Sequence, residues 1–311
     1  MDTILKLNGV DSHIFMCGGN AFSCDGSDVI VVVTGSPGIV DFYYEFATLL
    51  HDKTKLPICV VGHAGHDMVA DNCNDNIISS NNISKHNDNE HLYNLAGQIE
   101  HKVDLFNNHI DKQSKLHIIG HSIGAWIVLE MVHRNNPLLD RVASIHLLFP
   151  VIQHIAKTDN CIEKEKITYR LKLLFLRLLY MLLPNVLIKI IIRQYIKHSY
   201  SECPLFFVEG ALKCLHPKNM NNFFLMLRDE IQNVCDLNTQ IIGSVKENMN
   251  VVYGSQDGWV PLHFMDDLKI FEPSLQMSEV KCSHAFTMNS KECSIIASIV
   301  SDYIKSKKSF T

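Results

Sequence analysis

The pentapeptide Gly120-His121-Ser122-Ile123-Gly124 sets a serine between two glycines. It follows Leu116-His117-Ile118-Ile119, which reads as a buried strand, and it opens a segment from Ile123 to about His133 that reads as a helix. A sharp strand-to-helix turn is the setting a nucleophile elbow requires. Gly120 and Gly124, two residues before and two after the serine, leave no Cβ to collide with it, and His121 completes the motif. The helix N-terminus behind Ser122 offers backbone N–H groups and partial positive charge to a developing oxyanion. An ordinary strand–helix turn with a capping serine would use the same residue types.

A serine hydroxyl is a poor nucleophile until a base, itself oriented by an acid, takes its proton. After an elbow of this kind the chain order is serine, then Asp or Glu, then His. Val251-Val252-Tyr253-Gly254-Ser255-Gln256-Asp257 puts Asp257 just beyond a strand, with Trp259 and Pro261 at the start of the next helix. Cys282-Ser283-His284-Ala285-Phe286 puts His284 just beyond the last strand. Catalytic groups gather at the carboxyl ends of strands in open α/β sheets. Ser122, Asp257 and His284 are therefore the candidate catalytic residues. Asp257 also reads as a helix cap, which would leave the acid to Asp236, Asp266 or Asp267. His284 also reads as a buried core histidine.

The remaining part of an oxyanion site is expected in the loop after Val29-Ile30-Val31-Val32-Val33-Thr34, where Gly35-Ser36-Pro37-Gly38 stands. Pro37 has no N–H, so the expected donors are the amides of Ser36 and Ile123. A plain Pro-Gly turn is the alternative. Gly62-His63-Ala64-Gly65-His66 also lies past a strand, and His63 and His66 are placed to hold loops at the site. No carboxylate or cysteine joins them at a metal-ligand spacing, so no metal is expected.

The elements that must position these residues follow from apolar patterning. Thr3 to Cys17 alternates around Asn8-Gly9 and predicts a hairpin. Val29–Thr34 is a β-branched run suited to a strand buried on both faces. A helix with Phe42, Phe46 and Leu49 follows, then a strand at Pro57–Val61. Residues 71–91 are rich in Asn, Asp and Ser and predict a loop. Leu92, Leu95, Ile99, Val103, Phe106 and Ile110 mark one helix face. Val142–Phe149, Met249–Tyr253 and Leu275–Cys282 are further strands, and Ile295 to Ile304 lies in a closing helix. Alternating strands and helices predict an α/β fold with a mostly parallel sheet. Residues 1–150 and 239–311 would form the core, and 151–238 a helical, apolar insertion.

The 311 residues are enough for one large α/β domain with an insertion, or for about two average domains. At 47% apolar and 20% charged, the chain excludes low-complexity disorder for most of its length. The 28 Lys and Arg against 33 Asp and Glu give a net charge of −5, which is no footprint for nucleic acid. None of the ten cysteines forms a CxxC pair, so neither a zinc ribbon nor a thioredoxin-type site is expected. The first residues carry no basic stretch before an apolar core, so no secretory signal is expected. The sequon at Asn82 would then go unused.

Several blocks together resemble one family. They are Gly35-Ser36-Pro37-Gly38 with Phe42-Tyr43, His63-Ala64-Gly65-His66, Gln98-Ile99-Glu100-His101-Lys102, the elbow with Ala125, Tyr253 to Trp259, and His284-Ala285-Phe286. The chain resembles the lipid droplet-associated hydrolases over nearly its whole length, and the block from His63 to Lys102 is more specific than the elbow. The resemblance implies an α/β-hydrolase fold and a serine lipid esterase, with sterol esters the usual suggestion. It implies attachment to lipid droplets or endoplasmic reticulum, and Ser122, Asp257 and His284 as nucleophile, acid and base. The family usually has Asn where Ser36 stands. That change keeps the backbone donor and removes an amide side chain.

Leu171 to Arg193 is unusually greasy, but Lys172, Arg177, Lys189 and Arg193 interrupt it and Pro184-Asn185 splits it. A spanning helix needs about twenty apolar residues, and a charge near the bilayer centre costs about 3 kcal/mol. Residues 170–198 are therefore expected to form a hairpin in one leaflet, a cap over the site, or both. A droplet's phospholipid monolayer cannot be spanned, and a monotopic hairpin suits it. The expected function is ester hydrolysis through an acyl-Ser122 intermediate, with no cofactor. A droplet-organising protein, or an acyltransferase or thioesterase on the same residues, is the alternative.

Overall fold

The computed structural model describes residues 1–67, 90–165, 175–178, 180–199 and 204–308. Most of the expected loop at 71–91, the Asn82 sequon and residues 171–174 and 179 of the greasy segment lie outside the described residues.

The chain opens on a hairpin, β1 (Asp2–Leu7) and β2 (Val10–Cys17), closed by Leu7 opposite Val10. Asn8 and Gly9 supply the two positive φ angles, 46° and 79°, that a two-residue turn of this hand needs. Then come β3 (Val29–Val33), β4 (Ile58–Val61), β5 (Leu116–His121), β6 (Val142–Leu148), β7 (Met249–Gly254) and β8 (Gln276–Val280). They form one eight-stranded sheet in the order β1-β2-β4-β3-β5-β6-β7-β8. Every pairing from β4 to β8 is parallel, and only β2 runs against its neighbours.

β3 shows why the sheet is apolar on both sides. Val29, Val31 and Val33 enter one core cluster, and Ile30 and Val32 enter the other. The second cluster is covered by α1 (Tyr44–Thr54), which follows a 3₁₀ turn at Val40–Tyr43, and by the closing helix. The first is covered by α2 (Leu95–Asn108) and α3 (Ile123–Arg134), with Ile99, Phe106 and Val128 packed on Val31 and Ile118. Asn94 caps α2 by accepting a hydrogen bond from the Gly97 amide.

Beyond β6 the chain leaves the sheet for helices α4 (Asp159–Glu165), α5 (Asn185–Ser199), α6 (Leu205–Leu215), α7 (Pro217–Asn233) and α8 (Thr239–Val245). α5 and α6 hold each other through Ile188, Ile192 and Ile196 against Phe207, Val208 and Leu212. The helix expected after Trp259 is a 3₁₀ run, Leu262–Phe271, which turns Phe264, Met265 and Leu268 inward. α9 (Ser290–Lys308) closes the chain against α1, with Ile296 and Val300 packed on Phe46 and Leu50.

The cap is fastened to the sheet edge by charge. Lys213 of α6 donates to Asp41 at 2.6 Å and pairs with Asp67 at 2.7 Å. His13 of β2 reaches Asp67 at 3.0 Å and Asp2 at 2.7 Å. His13, Asp41 and Asp67 stand within metal-ligand spacing of one another, but the ammonium of Lys213 is the cation between the carboxylates. Burial alone would lower the pKa of Lys213, and the charges of Asp67 and Asp41 raise it on balance. Burial likewise works against a charged His13, and its bonds to Asp67 and Asp2 outweigh both that and the repulsion from Lys213, so its pKa is raised.

A raised folded-state pKa means that His13 contributes fully below its ordinary value of 6.5 and ceases to contribute as pH rises through the raised one. The gap in melting temperature between wild type and His13→Gln is therefore expected to be widest below pH 6.5 and to narrow as the pH is raised through the elevated pKa. A gap independent of pH in thermal denaturation would show that the imidazole carries no charge in this network.

Candidate active site

The Val33–Gly120 pairing brings the ends of β3 and β5 level, so the loop after β3 lies beside the turn after β5. Ser122 occupies that turn with φ 54° and ψ −125°. A non-glycine residue in such a region costs on the order of 1–3 kcal/mol and persists only where its surroundings impose it. Here the Ser122 amide donates to Leu148 O at 2.9 Å, and Ser122 O accepts from the amides of Ala125 and Val151 at 3.0 and 3.1 Å. The flanking glycines serve a different need from clearing space around the serine. A Cβ on Gly120 would stand 2.6 Å from Ala125 Cα, and one on Gly124 would stand 2.5 Å from Thr34 O. They let α3 approach β5 and β3 closely enough to begin at the serine.

His284 follows β8, and its Nε2 lies 2.9 Å from Ser122 Oγ while its Nδ1 lies 2.7 Å from Asp257 Oδ2. A carboxylate only accepts, so Nδ1 carries the proton and Nε2 offers its lone pair to the serine hydroxyl. The other Asp257 oxygen, Oδ1, accepts from the amides of Trp259 at 2.8 Å and Val260 at 3.1 Å. Asp257 thus closes a turn with one oxygen and holds His284 with the other, and it is not a helix cap, because the next helix begins only at Leu262 with Pro261 at its N-cap. Its side chain is fully buried, whereas that of His284 is 18% exposed. The other acids considered have different partners: Asp266 pairs with Lys269, Asp267 accepts from Gln153, and Asp236 is exposed.

Behind the serine runs a second line of hydrogen bonds. His121 Nε2 is 2.9 Å from His284 O, a carbonyl that can only accept, so Nε2 holds the proton. Nδ1 then accepts from Tyr43 Oη at 2.6 Å, and that hydroxyl accepts from the Gly35 amide at 2.7 Å. Burial, reinforced by the nearby His284, pushes the His121 pKa down to about 3, so the ring is neutral. The loop after β3, the elbow and the His284 loop are linked through this one imidazole. Tyr43 gave no signal in the sequence beyond its place beside Phe42.

Ser122 and His284 face a cavity of about 360 Å³ whose walls include Ser36, Val151, Ile155, Phe223, Phe224 and Leu227. That volume lies at the small end of ligand sites. Ser36 stands on the wall as expected of the β3 loop, and Ile123 opens α3, where first-turn amides have no acceptor within the helix. Of the two histidines in the β4 loop, His66 lines the cavity and His63 is buried beneath, packed on Gly38. Gln98 holds this loop by accepting from the Ala64 amide at 2.7 Å, and Lys102 donates to Gly62 O at 2.7 Å. Burial holds Lys102 well below the usual lysine range. The His63-to-Lys102 motif is therefore a strut that carries His66 to the cavity wall. Asn219 and Glu230 of α7 line the same cavity and escaped the sequence reading, although Asn219, Asn222, Met226 and Glu230 lie at helical spacing and are all buried.

Residues 27–287 match the family described as lipid-droplet associated hydrolase. The chain is similar to the lipid droplet-associated hydrolase of Drosophila melanogaster, with 30% identity covering 98% of each chain. It is similar to that of Rattus norvegicus at 27% identity, covering 96% of this chain and 93% of the relative. The relative in Dictyostelium discoideum is 23% identical, covering 84% of this chain and 82% of its own. Among solved structures the chain is similar to a membrane phospholipase A, with a TM-score of 0.63 at 12% identity over 99% of this chain and 86% of that one. A meta-cleavage product hydrolase from Pseudomonas fluorescens gives a TM-score of 0.59 at 14% identity over 98% and 97%. At such identities the likeness is one of fold, and the fold is that of the α/β-hydrolases.

His121→Phe keeps a ring against Phe149 and Phe286 but removes both hydrogen bonds. Covalent labelling of Ser122 by a fluorophosphonate is expected to slow about 10- to 100-fold as His284 loses its backbone tether. Labelling at the wild-type rate would mean that the His284 loop is held without it.

Proposed function

We propose, for a chain that belongs to the lipid-droplet associated hydrolase family and is thereby a hydrolase, that it cleaves neutral-lipid esters by a serine mechanism at a droplet surface. The observation that carries this reading is the continuous line from Ser122 Oγ through both nitrogens of His284 to Asp257, opening on an apolar cavity. In the acylation step Ser122 Oγ attacks the ester carbonyl and its proton passes to His284 Nε2. Asp257 stabilises the imidazolium through the Nδ1–H bond. The amides of Ser36 and Ile123 receive the negative oxygen of the tetrahedral intermediate. The imidazolium then protonates the departing alcohol. In the second half His284 takes a proton from water, the hydroxide attacks the acyl carbonyl, and the proton returns to Ser122 as the acid leaves.

The surface of the cap supports a lipid location. α5 buries Ile188, Ile192 and Ile196, yet Val186, Leu187, Ile190 and Ile191 on its other sides are about half exposed or more. Phe175, Leu178, Met181 and Leu182 continue the exposed apolar surface toward Pro184. No helix among the described residues is long and apolar enough to cross a membrane. An apolar outer surface on helices too short to span fits seating in a monolayer or in one leaflet of the endoplasmic reticulum, with Arg193 and Lys197 near the phosphates. This surface is independent of the serine chemistry, which also favours a droplet-organising role alongside hydrolysis.

Ser122→Ala is expected to abolish fluorophosphonate labelling and to lower hydrolysis of emulsified lipid esters, sterol esters included, by a factor of about 10³ or more. Labelling that persists would place the nucleophile elsewhere. Replacing Leu178, Leu182 and Ile190 together by Asp is expected to release the protein from phospholipid-coated triolein droplets in a flotation assay while labelling in solution continues. Flotation unchanged by those three charges would put the anchor in another part of the chain.

A further inference from the structure

α7 presents two kinds of wall to the catalytic cavity. Met220, Phe223, Phe224 and Leu227, at helical spacing, make it apolar. Asn219, one position round the helix, lines the cavity as well, facing it together with His66 of the β4 loop and Ser36 of the β3 loop. Asn219 is 3% exposed and His66 is 1% exposed.

The hydrogen bonds of these groups are one-sided. Asn219 Nδ2 donates to Lys213 O at 2.9 Å, which fixes the amide so that Oδ1 is turned away as an acceptor, and that Oδ1 has no partner. His66 Nδ1 donates to Pro37 O at 2.9 Å. Burial pushes the His66 pKa down to about 4 against the pull of its backbone partners Pro37 and Asn222, so the neutral ring braces this wall rather than offering it a free acceptor. Ser36 Oγ is buried and, like Asn219 Oδ1, unpartnered. A wall of acceptors beside a nucleophile is suited to an occupant that brings O–H groups. An alkyl or sterol ester has none, and would bury these two oxygens against carbon.

We propose that Asn219 and Ser36, braced by His66, form a hydroxyl-binding subsite, and that the preferred substrates are partial esters of polyols, such as monoacylglycerols, rather than esters without a free hydroxyl. The inference rests on the ester hydrolase reading and narrows its substrate. The apolar stripe of α7 takes the acyl chain, and the polar wall takes the alcohol part with its remaining hydroxyls. Ser36 puts a hydroxyl at this wall that can either donate or accept.

The test uses the full chain carrying Ser122→Ala and two ligands that cannot be hydrolysed, 1-O-dodecylglycerol and dodecyl propyl ether, each kept below its aggregation limit. Calorimetry is expected to give the glycerol ether at least about tenfold tighter binding, and Asn219→Leu or Ser36→Ala is expected to narrow that ratio. Ser36→Ala removes one oxygen, so it keeps the test sharp if Asn219→Leu fails to fold. In the enzyme with Ser122 intact, kcat/KM for 1-lauroylglycerol is expected to exceed that for propyl laurate by about tenfold or more, and the same variants are expected to compress the ratio. Equal or weaker binding of the glycerol ether, or faster cleavage of propyl laurate, overturns the subsite and leaves the esterase reading standing. Selective binding of the glycerol ether by a protein that cleaves neither ester upholds the subsite and overturns the esterase reading.

Discussion

Everything at the site depends on one strained residue and the packing that forces it. Ser122 can hold φ 54° because α3 begins immediately after β5 and is pressed against the end of β3, with Gly124 beneath Thr34 O. Both glycines of the motif exist for that approach. The parallel pairings on either side of β5 then determine what surrounds the serine: the β3 loop on one flank, and on the other the end of β6, whose Leu148 carbonyl takes the serine amide. His284 and Asp257 come from the two strands at the far edge, so the line of three side chains crosses half the sheet. A short-range steric fact is thereby converted into the meeting of residues far apart in the chain.

The sheet was legible because its signal is local. A run such as Val29 to Val33 is apolar at every position, and the structure divides it between two cores as an element covered on both faces must be divided. The positions of Ser122, Asp257 and His284 after strands were legible for the same reason. The tether through His121 was not. Its partners are a hydroxyl on Tyr43 and a backbone carbonyl at position 284, and neither leaves a mark in residue spacing. The division of the Asp257 oxygens between a turn and His284 was hidden in the same way, since the turn amides it meets belong to the backbone.

The insertion was legible as greasy and helical, but its greasiness drew attention from α7, which is the part that touches the cavity. Apolar excess marks the outward surface of α5, where Val186 and Ile190 are 68% and 51% exposed. A buried asparagine carries the opposite information, because its cost demands a partner or an occupant. Read by helical spacing, Asn219, Asn222 and Glu230 form a stripe that a purely lipid-facing helix would not keep. Composition averaged over residues 151–238 conceals that contrast.

Lys213 links two regions described apart. Its ammonium is seated between Asp41 and Asp67 at the sheet edge, while its own carbonyl holds the Asn219 amide of the next helix. The far rim of the barrel-less sheet and the lining of the reaction chamber therefore share a single hinge-pin. One side chain thus anchors the hairpin by charge while its own peptide group furnishes the cavity wall with a backbone acceptor.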